Sequence, residues 1–139
     1  MDQDTSQGLD EILELAGTAA RAAAAKQATD PLVLQVGSIL AITDAFVITS
    51  GTNVRQVRTI AEEVEAQVAR ASGRKPLRTE GLDSAGWVLI DYGDFVVHVF
   101  LDEVRRYYDL ERLWADAPRI PWDDASTGEE PARRSASPA

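Results

Sequence analysis

The sequence predicts an α/β (α+β) domain, a mixed β-sheet of about five strands with helices packed mainly on one face. Three observations carry that reading: an apolar stripe at helical spacing over residues 9–23, a capped helix that starts at Asn53, and two β-rich runs joined by Gly93-Asp94. At 139 residues, 45% hydrophobic and 27% charged, the chain has the size and composition of one globular domain. Such a fold buries roughly two-thirds of its unfolded surface, enough for its own core.

Leu9, Ile12, Leu13, Ala16, Ala19, Ala20 and Ala23 form the first stripe, and Asp10, Glu11 and Glu14 are expected near the positive end of that helix. Its alanine-rich half has high propensity but little bulk, so loose packing is expected. Pro31 stops the helix and pushes Asp30 toward extended geometry. Leu32 to Val36 and Ala45 to Thr49 are β-branched or aromatic runs bounded by turn formers, hence two strands.

Thr52 or Asn53 caps the second helix, with Gln56 as capping-box partner. Val54, Val57, Ile60, Ala61, Val64 and Val68 make its buried stripe, and Gly73 supplies the left-handed stop. Leu77 to Glu80 is a weaker strand after Pro76.

Trp87 to Tyr92 and Phe95 to Leu101 flank a two-residue loop with glycine first, as a type II′ hairpin requires. That loop sets the register. Tyr92–Phe95, Ile90–Val97 and Val88–Val99 face one side and belong under the helices, whereas Asp91–Val96, Leu89–His98 and Trp87–Phe100 face the other. Asp102 to Tyr108 and Leu110 to Trp114 read as short helical pieces, with Glu103, Arg105, Arg106, Glu111 and Arg112 as a solvated surface. The domain is expected to span residues 1–120. An acidic tail rich in Pro, Ser and Ala follows over 121–139, expected to be disordered from about residue 123.

Composition excludes several chemistries. With no cysteine there is no disulfide scaffold, thiolate metal site or cysteine nucleophile. No apolar run nears the ~18 residues of a membrane span, and Met1 to Gln7 lacks the start of a signal peptide, so the chain is expected to be cytoplasmic. A formal charge of −9 disfavours direct binding to DNA or RNA, whose affinity comes mostly from neutralising phosphates. The glycine spacing lacks a dinucleotide fingerprint, and Trp87 stands where a Walker motif needs lysine. Glu63 and Glu65 are two apart but fall on a helix, where they diverge. His98 is the single histidine, with no nucleophile paired to it. No metal or cofactor is implied. An aromatic face bordered by charge has the make-up of an interface core.

Several segments are also recognisable as motifs. Asp44-Ala45-Phe46-Val47-Ile48, Ser50-Gly51-Thr52-Asn53-Val54-Arg55-Gln56-Val57, Gly86-Trp87-Val88-Leu89-Ile90-Asp91-Tyr92-Gly93-Asp94, Val96-Val97-His98-Val99-Phe100 and Tyr108-Asp109-Leu110-Glu111-Arg112-Leu113-Trp114 resemble the ribosomal silencing factor family, also called Iojap. The likeness runs from about residue 9 to 120. Ala45, Asn53 and Gln35 depart from it, standing where an aromatic, a serine and an aspartate are usual.

The resemblance implies a nucleotidyltransferase-like fold without transferase activity. It also implies binding to the large ribosomal subunit through its protein number fourteen, with the small subunit sterically kept from joining and translation lowered under nutrient limitation. An acidic body suits a basic ribosomal protein and leaves rRNA contact at most peripheral. Carried over by position, Trp87, Asp91, Tyr92, Asp94, His98 and Phe100 are the expected partner-binding residues. Asp44, Arg55 and Gln56 match as well, in supporting roles. Two alternatives stay open: a small nucleotidyltransferase-like enzyme using Asp91, Asp94 and His98, and a homodimer that buries the same face.

Overall fold

The computed structural model describes residues 2–37, 39–40 and 42–122, with side chains from Gly8 onward. The expected disordered tail lies outside the described residues. Five strands are present: β1 (Thr29–Gln35), β2 (Ala45–Gly51), β3 (Arg78–Glu80), β4 (Trp87–Asp91) and β5 (Phe95–Leu101). They form one sheet in the order β1-β2-β5-β4-β3. Only β2 and β5 run parallel, so the sheet is mixed, as expected for an α+β domain.

Helices α1 (Asp2–Ala25) and α2 (Val54–Ser72) cover one sheet face, while the short α3 (Asp102–Tyr108) and α4 (Leu110–Leu113) follow β5. The main core lies between α1, α2 and the strand residues Val33, Val47, Val88, Ile90, Val97 and Val99. A smaller core on the opposite face gathers Leu34, Phe46, Ile48 and Phe100, with Leu110 and Trp114 packed against it.

Two expectations for the first helix are corrected. It begins at Asp2, which leaves Asp10, Glu11 and Glu14 in its middle, away from the positive end. Its alanines do not pack loosely: Ala16, Ala19, Ala20 and Ala23 are fully buried. A methyl side chain lets the α1 backbone lie close to α2 and the sheet, so tightness here comes from approach rather than bulk.

Helix α2 is capped as its sequence dictates. Asn53 accepts from the Gln56 backbone N–H at 2.8 Å, and Gly73, in the left-handed region, donates to Ala69 at 2.7 Å. The Gln56 side chain reaches past Asn53, so the expected capping box closes on Thr52 instead. Its Oε1 accepts from the Thr52 N–H at 2.7 Å, and its Nε2 donates to the carbonyls of Lys26 and Gln27 at 3.1 and 3.0 Å. One amide thereby fastens the start of α2 to the end of α1.

The extended geometry expected at Asp30 is also corrected. Its φ is 43°, within an irregularity between Thr29 and Leu32 that keeps Pro31 inside edge strand β1. Arg105 Nη1 and Nη2 donate to the carbonyls of Thr29 and Asp30 at 2.8 and 2.9 Å, holding this kink from outside the strand. Arg105, expected on a solvated surface, is thus 7% exposed and ion-paired with Glu111 at 2.8 Å. The outer edge of β1 is closed by the chain after α4, where Gln35 donates to Pro118 and Ile120 donates to Val33.

Candidate functional site

The β4–β5 hairpin has the register that its glycine turn dictates, with Trp87 opposite Phe100, Leu89 opposite His98 and Asp91 opposite Val96. Gly93 carries φ 91°, the conformation that a side chain there would strain. The other set, Val88, Ile90, Tyr92, Phe95, Val97 and Val99, is buried against α1 and α2. Register alone thus separates a core face from a partly open one.

The six expected partner residues fall at different depths and not all on the open face. Trp87 and Asp91 are half-buried. Phe100 is 0% exposed and His98 6%, so both lie beneath Trp87 as the floor of the face. Tyr92 is 2% exposed and lies on the helix side, stacked on Phe95 at 4.7 Å. Burial pushes its phenol up to about 12, with Glu65 adding to the rise and Arg74 opposing it. Asp94 sits at the tip and pairs with Arg74 at 2.8 Å, while the same guanidinium lies over the Tyr92 and Phe95 rings.

Trp87 is held from three directions. Its indole N–H donates to His98 Nδ1 at 3.1 Å, and its ring packs 4.8 Å from Phe100 and 5.0 Å from Tyr108. An indole nitrogen only donates, so Nδ1 accepts and the histidine proton resides on Nε2. Burial pushes the His98 pKa down to about 4, and the ring is neutral at physiological pH. Asp91 accepts from the Gly93 N–H at 2.8 Å and meets Arg78 at 3.3 Å. Asp91 and Asp94 are thus each held by a different arginine, Asp91 on the face it shares with His98 and Asp94 at the tip beside Arg74.

Other residues complete the face. Phe46 of β2 stands perpendicular to His98 at 4.8 Å and to Trp114 at 5.6 Å. Phe46 pairs with Val96 across the parallel β2–β5 ladder. That pairing joins distant segments, which hairpin reasoning could not reach. Tyr107, 81% exposed, and Leu113 continue the apolar surface beyond Tyr108. Two adjacent tyrosines on a helix otherwise rich in charge were the available signal for this extension. Among the described residues, no three histidine, aspartate or glutamate side chains converge as a metal ion would require.

Fold and face define a class: a small α+β domain on a five-stranded mixed sheet, with one face sealed by long helices and the other left partly open and aromatic. Residues 9–139 match the family model described as ribosomal silencing factor during starvation. The chain is 46% identical over 100 residues to the ribosomal silencing factor of Bacillus subtilis, covering 72% of this chain and 84% of that one. It is 34% identical over 91 residues to the mouse mitochondrial assembly of ribosomal large subunit protein 1, covering 64% of this chain and 40% of that one. A solved structure from Chromobacterium violaceum superposes with a TM-score of 0.71 at 31% identity, covering 81% of this chain and 92% of that one. The chain belongs to the ribosomal silencing factor family, and as such is a ribosome-associated regulator of translation.

Proposed function

We propose that this chain docks on the large ribosomal subunit, through its protein number fourteen, and keeps the small subunit from joining by occupying the space between them. The observation that supports this most is the clamped Trp87 on the open sheet face. An immobilised, half-buried aromatic loses little freedom on binding and is the usual anchor of a docking surface. Leu89 and Val96, further along the same face, are half-buried, so the face has apolar surface still to bury. The net charge of −9 favours a basic protein over rRNA as the principal contact. No chemical step is needed: filling an interface suffices, and the role is non-enzymatic.

Asp91 and Trp87 carry the direct contacts in this reading, while His98 and Phe100 position Trp87 from below. Asp94 supports the tip through Arg74. Tyr92 acts only through the core. Co-sedimentation with purified large subunits provides the test. Trp87→Ala and Asp91→Lys, each shown to be folded by circular dichroism, are expected to lose most of the pelleted fraction, with small subunits pelleting none. Retention of both variants at wild-type levels would remove the face from the interface.

A further inference from the structure

One groove on the open face, of about 410 Å³, is lined by Thr43, Phe46, Leu89, Val96 and His98, with Arg78 and Asp91 also at its wall. Two of these side chains are anomalous. Thr43 is 7% exposed and His98 6%, yet among the described residues neither Thr43 Oγ1 nor His98 Nε2 has a hydrogen-bond partner. A buried polar atom without a partner is costly, and one groove bordered by two of them calls for an explanation. Since Nδ1 is taken by Trp87, the free imidazole nitrogen is a donor, and the threonine hydroxyl beside the same groove can accept.

A neutral donor and an acceptor within an apolar groove match a peptide group, which offers one carbonyl and one N–H. They do not match a phosphate. Asp91 adds negative charge at the wall, and Arg78 is already engaged by Asp91 and by Glu80 at 3.3 and 3.2 Å. We propose that this groove receives a main-chain amide of the docked protein partner, its carbonyl accepting from His98 Nε2–H and its N–H donating to Thr43 Oγ1. The assignment rests on the docking reading above and names the chemistry of the segment that seats there. Both atoms are closed to water in the free chain, so seating entails a shift of the groove side chains that cover them, while the His98 ring keeps its bond to Trp87.

The test uses Thr43→Val, which keeps the shape and removes the hydroxyl, and Thr43→Ser, which keeps the hydroxyl. Affinity is read by fluorescence anisotropy of labelled full-length chain titrated with purified large subunits, and folding by the thermal midpoint. Thr43→Val is expected to melt no lower than wild type, because a partnerless hydroxyl has gone, while binding about tenfold more weakly. Thr43→Ser is expected to bind as wild type does. Wild-type affinity in Thr43→Val, or equal loss in both variants, would overturn the amide assignment alone. Absence of wild-type binding to large subunits would overturn the docking reading and this assignment with it. Saturable binding of protein-free rRNA, weakened by Thr43→Val, would assign the groove to nucleic acid and likewise overturn the assignment.

Discussion

His98 shows how much one side chain decides here. Its ring receives the indole N–H of Trp87 on one nitrogen, and burial pushes its pKa down to about 4. In the unfolded chain a histidine titrates near its ordinary value of about 6.5. Between those values only the unfolded state takes up the proton, so stability is complete above about pH 6.5 and is lost as pH falls toward 4. The loss amounts to about 3 kcal/mol. Urea titrations of wild type and His98→Gln at pH 7 and pH 4 isolate it from other groups: wild type is expected to lose that much more than the variant. Parallel pH dependence in the two would show that His98 does not resist protonation. The sequence made His98 visible as the lone histidine opposite Leu89, because the hairpin register is local. It hid Arg105, whose partners at Thr29, Asp30 and Ser50 come from distant strands.

At the scale of elements, local signals and distant ones divide along the same line. The caps of α2 and the β4–β5 turn use interactions within a few residues, and both formed where residue types and spacing place them. The kink at Asp30 and the closeness of α1 depend on what packs against them, so propensity misjudged both. The alanine face of α1 gives a sharp test. Ala20 is fully buried in the main core, and Ala20→Leu forces several carbon atoms into a filled space. Destabilisation of about 2 kcal/mol or more is expected from chemical denaturation. An unchanged midpoint would mean that α1 does pack loosely after all.

Taken whole, the molecule is a sheet with a sealed face and a partly open one, and the five-strand α+β plan was legible because each strand or helix carried its own period. The order β1-β2-β5-β4-β3 was not, since the central parallel pair joins β2 to β5 across α2, β3 and β4. For that reason Phe46, opposite Val96, escaped the candidate site, while Trp87, Asp91 and His98 were found on one hairpin. Two of the six candidates, Tyr92 and Phe100, proved to be wholly interior, because aromatic character marks core and interface alike. A negatively charged body that presents one aromatic face fits the proposed role of holding a site and excluding a competitor. Light scattering of ribosomal subunits mixed at association-promoting magnesium, with saturating protein present, measures that exclusion. The expected result is that joining is suppressed by wild type and restored with Trp87→Ala; joining at full extent while wild-type protein remains bound to the large subunit would contradict it.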